Sequence, residues 1–235
     1  MRDFGQSTQT GVMTNRTDGE EVTMISRQRL IYVILSVMFF LTSTVVQGEN
    51  LLLFNDFTQE KDSAMFSILG LGEEVSGGKV EEGEYSLDFN GGSRAIVLSG
   101  GDWDSWNYSI EVKAKLVEQR VPYDQIGIIF RAEDLKNFYK LRLQLNEQRL
   151  YLEKIIGGRG IELDSVPFRW KPKEWYVFKA EICGKDSAQI RCYLNNIGMI
   201  EYTDSDPIRS GKVGLCAHGH AHFDDLKVYR IERVK

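Results

Sequence analysis

The clearest pattern of hydrophobic and polar positions lies between Gln125 and Ile155, where apolar and polar residues alternate in three consecutive runs. Strict alternation predicts β-strands, because successive side chains of a strand point to opposite faces. Short polar segments separate the runs, so we expect three antiparallel strands with one face in a core and the other exposed to water. The residues predicted to face the core are Ile126, Ile128, Phe130, Leu141, Leu143, Leu145, Leu150 and Leu152.

Similar runs flank this segment. Residues 107–118 alternate over their whole length, and residues 174–183 with 188–195 predict a hairpin. Glycine is frequent and proline is rare, with 22 and 4 residues respectively, which suits short strands joined by turns better than helices. The sequence therefore predicts an all-β fold. Further short strands are predicted at 51–54, 66–69, 85–89, 94–99, 211–215 and 223–228.

The alternation is missing from the N-terminal part of the chain. Residues 1–29 are polar without periodicity and are predicted to be a disordered leader. Residues 30–48 are uncharged and mostly apolar, close to the shortest run that crosses a bilayer as a helix. Arg27 and Arg29 precede this run and Gly48 ends it, as in a cleaved signal peptide. A signal peptide is favoured, and a retained single-pass anchor remains open.

Both alternatives predict that residues 49–235 act outside the cytoplasm. A cleaved signal gives a secreted, periplasmic or cell-surface protein, whereas an anchor keeps it on the membrane through the N-terminal segment alone. The start of the chain also stays open between Met1 and Met24, since the residues after Met24 read as a short basic leader.

Size and charge narrow the classes of function. The chain has 235 residues, 42% of them hydrophobic, which is enough for one sizeable core, so residues 49–235 are predicted to form one domain. The net charge of −5 argues against nucleic acid as a partner, because nucleic-acid-binding proteins present a basic surface. Cys183, Cys192 and Cys216 lack the spacing of a metal or redox motif and are predicted to be buried or half-buried thiols.

Several short motifs follow one another in a characteristic order. They are NDF at 55–57, GIIFR at 127–131, NFY at 137–139, NNIG at 195–198, GKVGL at 211–215 and FDDLKV at 223–228. In this order they resemble the concanavalin A-like (laminin G-like) jelly rolls, and most closely the bacterial 3-keto-disaccharide hydrolase-type domain. The resemblance covers roughly Leu51 to Tyr229 and departs at Phe66, where the family carries a tryptophan. It implies an antiparallel β-sandwich jelly roll.

The resemblance implies three alternative functions. The first is carbohydrate recognition without catalysis, with a poly- or oligosaccharide as partner. The second is a glycoside hydrolase-like enzyme acting on 3-keto-disaccharides, and the third is a laminin G-like module that adheres to another protein. Neither the sugar nor the oligomeric state follows from the sequence.

Catalysis by paired carboxylates finds little support in the sequence. Glycosidases hold two acidic groups about 5–10 Å apart. Two residues after Glu111, at the position where a second acid would be needed, the sequence has Lys113. The missing acid favours sugar binding over hydrolysis. If the protein is an enzyme, its candidate catalytic residues are Glu111, Glu153 and Arg131.

The polar side of the three central strands is the predicted binding surface. Planar hydrogen-bond donors around an aromatic ring suit a sugar, which offers both hydroxyl groups and an apolar face. Glu111, Lys113 and Arg149 are expected on the same face. The candidate ligand-binding residues are Arg131, Lys140, Arg142, Gln144, Tyr151 and Glu153.

Two groups of residues are candidate metal ligands. His218, His220 and His222 occupy alternate positions, and imidazoles at that spacing can bind Zn²⁺, although a solvated turn is favoured there. The resemblance implies a structural Ca²⁺ site with Asp56 and Asp225, for which the alternative is a carboxylate that caps a turn. We expect stability to respond to Ca²⁺ more than to Zn²⁺.

Overall fold

A computed structural model describes residues 49–68, 78–98 and 107–232. The predicted leader and the apolar segment 30–48 lie outside the described residues. The described part of the chain contains thirteen β-strands and one short 3₁₀ helix, Glu60–Met65. Within these ranges no helix is both long and apolar enough to cross a membrane.

The strands follow the predicted runs closely. The predicted all-β class is confirmed, with three strands in addition to those predicted, at Lys79–Glu81, Arg159–Pro167 and Ile197–Asp204. The strands are β1 (Glu49–Asn55), β2 (Phe66–Ile68), β3 (Lys79–Glu81), β4 (Glu84–Leu98), β5 (Tyr108–Glu118), β6 (Gln125–Asp134), β7 (Asn137–Gln144), β8 (Arg149–Ile156), β9 (Arg159–Pro167), β10 (Tyr176–Cys183), β11 (Ala188–Leu194), β12 (Ile197–Asp204) and β13 (Lys212–Ile231).

A β-sandwich arises because β13 belongs to both layers. Its first half pairs with β6, and its second half pairs with β5. The hydrogen-bonded order is therefore β12-β11-β10-β5-β13-β6-β7-β8-β9, folded so that alternate side chains of both halves meet in one core. Fully buried core residues include Ile110, Val112, Ile128, Phe130, Leu141, Leu152, Phe178, Ile190, Leu215 and Phe223.

The length of β13 corrects one prediction. The sequence predicted two strands, 211–215 and 223–228, with the three histidines in a turn between them, but the structure has one strand of 20 residues. Gly219 sits at a register shift with a φ of +94°, a conformation that residues with a Cβ rarely adopt. Gly219 therefore forms a β-bulge. The bulge interrupts the alternation of side chains along β13, but the strand continues to pair with its neighbours. In the same way, β4 joins the two strands predicted at 85–89 and 94–99.

Buried polar groups hold the loop between β12 and β13 at one end of the sandwich. The Tyr139 hydroxyl donates to Asp204 Oδ2 at 2.6 Å, and Lys154 Nζ lies 2.9 Å from the same oxygen. The Ile208 amide donates to the Tyr139 oxygen at 3.2 Å, and the Asp206 amide donates to Asp204 Oδ1 at 2.9 Å. Tyr139, Lys154 and Asp204, here called the end cluster, therefore fix the path of residues 205–208.

The cysteines behave as predicted. Cys192 and Cys216 are buried thiols, and Cys183 is half-buried. Burial raises the pKa of Cys216 to about 11, so this side chain is a neutral thiol at physiological pH.

Candidate functional site

The outer face of β7 and β8 brings together five of the six predicted ligand-binding residues. The two strands pair so that Lys140 lies opposite Glu153 and Arg142 lies opposite Tyr151. Gln144 follows Arg142 at the next position on the same side of β7. We call this surface the meander face and define it by Lys140, Arg142, Gln144, Arg149, Tyr151 and Glu153.

Hydrogen bonds join most of the meander face into one network. Arg142 donates from Nε and Nη2 to the two carboxylate oxygens of Glu153, at 2.8 and 2.9 Å, which is the bidentate geometry of a strong ion pair. Lys140 Nζ lies 2.8 Å from the same carboxylate. The Arg142 guanidinium also bonds Gln144 and stacks on the Tyr151 ring, with its central carbon 4.4 Å from the ring centroid. The network therefore fixes a planar donor group against an aromatic ring.

The meander face is less exposed than the alternation predicted. Arg142 is 9% exposed and Tyr151 7% exposed, so both form the floor of the surface while Lys140, Gln144 and Arg149 are half-buried around them. A small apolar cluster adjoins the network on the same side. This cluster comprises Ile129, Ala132, Phe138, Ile155 and Cys216. The expectation that these strands have one face in the core and the other exposed to water is therefore wrong.

Arg131 does not belong to the meander face, contrary to the prediction. It has a φ of +47°, and the pairing of β6 with β7 shifts between Phe130 and Asp134. This bulge turns the fully buried side chain toward the end of the sandwich. There its guanidinium donates to the carbonyl oxygens of Ile208 at 2.7 Å and Gly184 at 2.6 Å. Arg131 thus ties two loops together and is not placed to contact a surface ligand or to take part in catalysis.

Glu153 is an anion at neutral pH. Burial alone would raise the pKa of Glu153, but the hydrogen bond from Arg142 and the charge of Lys140 outweigh it and lower the pKa to about 2. A carboxyl group with such a pKa holds no proton at neutral pH, so it cannot act as a general acid.

We expect Glu153 to make the free energy of unfolding decrease as the pH falls. Its folded-state pKa is depressed, so its contribution is fully present above its ordinary value of 4.5 and is lost as the pH falls toward about 2. The shift corresponds to roughly 3 kcal/mol of unfolding free energy as an upper value. Urea denaturation at several pH values between 7 and 3 measures it, and the difference between the unmutated protein and Glu153→Gln should shrink on acidification.

The matched control for that experiment is Glu201→Gln. Glu201 pairs with Arg191 at 3.1 Å, but both side chains are more than half exposed, so this pair should contribute little at any pH. A difference for Glu153→Gln that stays constant from pH 7 to pH 3 would show that Glu153 does not carry the acid dependence.

Glu111 lies on the opposite layer from Glu153. In the hydrogen-bonded order, β13, β6 and β7 separate β5 from β8, and both strands send their alternate side chains into the same core. Glu111 is near Lys227, with 3.9 Å between Nζ and Oε1, and Lys113 is on that layer too. The prediction that Glu111 and Lys113 share the meander face is therefore wrong. The two glutamates proposed for catalysis are not brought together.

The three histidines separate into two environments because of the bulge at Gly219. His218 is buried and its Nδ1 lies 2.7 Å from the Asp124 carboxylate. His220 and His222 lie on the outer side of β13, where their Nε2 atoms are 3.2 Å apart. The predicted set of three does not form, and the described residues contain no group of three or more His, Cys, Asp or Glu side chains arranged to hold a metal ion.

The two aspartates of the predicted calcium site are already engaged. Asp56 Oδ1 accepts hydrogen bonds from the amide of Thr58 at 3.3 Å and from its hydroxyl at 2.9 Å. Asp225 Oδ2 lies 2.5 Å from Lys113 Nζ. An ammonium group beside Asp225 opposes a second cation there, so the two carboxylates as arranged do not fit a Ca²⁺ site.

Sequence reasoning missed the partners of His220 and His222. Ser86 and Glu84 come from β4, more than a hundred residues earlier in the chain, and only the pairing of β4 with β13 places them beside the histidines. A strand-pairing prediction for β4 would have been the only signal.

Solved structures share this fold at low sequence identity. The carbohydrate-binding module CBM66 from Bacillus subtilis is 16% identical, with a TM-score of 0.51 over 71% of this chain and 92% of that one. A protein of unknown function with a galectin-like fold, also from Bacillus subtilis, is 14% identical, with a TM-score of 0.58 over 80% of this chain and 99% of the other. The predicted β-sandwich jelly-roll fold is thus confirmed.

A third similar structure is an enzyme. The xylan beta-1,4-xylosidase from Bacillus halodurans C-125 is 16% identical, with a TM-score of 0.54 over 77% of this chain, but the match covers only 39% of the xylosidase. No family model and no curated protein matches the sequence.

Proposed function

We propose that this domain is a carbohydrate-recognition module that binds a poly- or oligosaccharide on the meander face without cleaving it. The observation that carries the proposal is the Arg142 guanidinium held flat on the Tyr151 ring by its two bonds to Glu153. A site whose donors are fixed before binding loses less conformational entropy when a ligand arrives.

The half-buried residues around this floor provide the contacts that a sugar needs. Lys140, Gln144 and Arg149 carry donors, and Gln144 also carries an acceptor, within reach of hydroxyl groups. Two solved structures with this fold support the same class of ligand, since one is named as a carbohydrate-binding module and the other as a xylosidase.

Glu153 argues for binding rather than hydrolysis. Two cations neutralise its carboxylate, and it has no free proton to give at neutral pH. The alternative enzyme, a hydrolase of 3-keto-disaccharides, would need an acid and a base outside the pair Glu111 and Glu153. We propose in addition that the module acts outside the cytoplasm, secreted or tethered, on the strength of the apolar run at 30–48.

We expect Gln144→Ala and Arg149→Ala each to weaken glycan binding about tenfold, because a lost hydrogen bond to a ligand costs about 1.4 kcal/mol. The ligand is first identified on a glycan array with the full-length chain, and affinities are then measured by calorimetry. Both positions are half-buried, so folding should be nearly unaffected, whereas Arg142 and Tyr151 are too buried for a clean test.

Arg191→Ala is the matched control for this test. Arg191 is exposed on the opposite layer and should leave the affinity unchanged. Equal binding by Gln144→Ala, Arg149→Ala and the unmutated protein would move the site away from the meander face. Release of reducing sugar from a 3-keto-disaccharide by the unmutated protein would favour the enzyme instead.

A further inference from the structure

A pair of histidines lies on the outer side of β13. These residues are in the half of the strand that pairs with β5, so they lie on the layer opposite the meander face. His220 pairs with Asp88 and His222 pairs with Ser86 in the register between β13 and β4. Ala221 between them is fully buried, so the two imidazoles share the outward side of the strand. Both rings are partly accessible to solvent.

The two rings face each other through the same nitrogen. Their Nε2 atoms are 3.2 Å apart and the rings are tilted by 69°. The Ser86 hydroxyl lies 3.1 Å from His220 Nε2. The Nδ1 atom of His222 faces the Glu84 carboxylate, to which it is hydrogen-bonded.

The hydrogen bonds of this cluster determine which ring nitrogen of each histidine carries a proton. Glu84 is paired with the Lys115 ammonium, at 3.2 Å between Nζ and Oε2, so it is a carboxylate that only accepts hydrogen bonds. Nδ1 of a neutral His222 must then carry the proton, which leaves a lone pair on its Nε2. The contact between the two Nε2 atoms is then a hydrogen bond, in which His220 Nε2–H donates to the lone pair of His222. A single proton, on His220, therefore separates two nitrogen atoms that both can bind a metal.

We propose that His220 and His222 bind one zinc-type divalent transition-metal ion through their Nε2 atoms. Two nitrogens bound to one tetrahedral Zn²⁺ at about 2.0–2.1 Å lie about 3.3 Å apart, close to the separation found here. The ion takes the place of the shared proton, and His220 remains a neutral imidazole because it then carries its one proton on Nδ1 instead of Nε2.

Glu84 has the position of a supporting carboxylate. Metal-bound histidines commonly donate their second N–H to a carboxylate, which fixes the ring and the tautomer. Two protein ligands are fewer than the three of a catalytic zinc site, so water completes the coordination. Binding is therefore weaker than in a structural zinc site.

Two positive side chains, those of Lys115 and Arg120, lie near the histidine pair. Lys115 faces the cluster but is paired with Glu84, at 3.2 Å between Nζ and Oε2. Arg120 is paired with Asp88, at 3.0 Å between Nη2 and Oδ2. Each positive side chain thus has its own carboxylate.

Calorimetric titration of the full-length chain with Zn²⁺ tests the proposal, with protein purified through a tag that contains no histidine. We expect one saturable site per chain and a rise in melting temperature with Zn²⁺. His220→Ala and His222→Ala should each abolish that binding, and Glu84→Gln should weaken it about tenfold or more, since it removes only the support of one ligand. Ca²⁺, which requires oxygen ligands, should not bind the pair.

His218→Gln is the matched control because the partner of the His218 ring is the Asp124 carboxylate, at 2.7 Å from Nδ1. It should bind Zn²⁺ as tightly as the unmutated chain when measured below its own melting temperature. The proposal fails if the unmutated chain does not bind Zn²⁺, or if its site survives in both His220→Ala and His222→Ala. Neither outcome bears on sugar binding by the meander face.

Discussion

Replacing Arg131 by alanine should lower the free energy of unfolding by about 3 kcal/mol or more. The substitution leaves the carbonyl groups of Ile208 and Gly184 without the guanidinium that now donates to them at 2.7 and 2.6 Å. A buried carbonyl that loses its partner costs about 1–3 kcal/mol, and two are affected. Urea denaturation followed by tryptophan fluorescence measures the difference.

Two further variants separate the causes. Arg131→Gly also loses the guanidinium but accepts the φ of +47° without strain, so it should be about 1 kcal/mol more stable than Arg131→Ala. Arg131→Lys should not restore stability, because one ammonium cannot match a planar group that bonds two separate loops. Arg209→Ala, at an exposed arginine, is the control and should stay within about 0.5 kcal/mol of the unmutated protein. A loss below about 1 kcal/mol in Arg131→Ala would refute the role given to Arg131.

Asp204→Ala should be comparably damaging, by about 3–5 kcal/mol. It leaves the Lys154 ammonium buried without the carboxylate 2.9 Å away, and the uncompensated charge is the main cost of breaking a buried ion pair. It also removes the acceptor of the Tyr139 hydroxyl. Chemical denaturation at pH 7 gives the magnitude.

The companion variants of Asp204→Ala test the charge directly. Asp204→Ala combined with Lys154→Met should recover part of the loss, because the second change removes the stranded ammonium. Asp186→Ala breaks an exposed pair with Arg209 at 3.6 Å and should change stability little. Equal losses in the single and double variants would mean that packing, not charge, explains the effect.

Alternation was sufficient to predict most strands and most of the core. Each residue predicted to face the core in the three central strands is buried, because a strand with one face packed must keep its period of two. The prediction failed where the backbone left that period, at the bulges of Arg131 and Gly219. A bulge depends on the register of neighbouring strands. The residues around Arg131 therefore give no local signal that predicts it.

The sequence was sufficient to predict which residues share the meander face, but not how deeply they are buried. The shared face of Arg142, Tyr151 and Glu153 follows from alternation and a short turn. Their depth does not, because it depends on how the sheet curves and on neighbours such as Phe138 and Ile155, which stood in the polar phase of the pattern. The end cluster was not predictable at all, since Asp204 lies far along the chain from Tyr139 and Lys154.

The shared strand β13 also determines when the protein can fold. Its partners β1, β4, β5 and β6 all precede it in the chain, so the ribosome releases each of them before the strand that joins them. Until residues 212–231 emerge, those strands keep open edges that can pair with other chains. Contacts so distant in sequence also slow folding. Protection of the nascent chain during that interval therefore matters more for this protein than for one whose last strand lies at an edge.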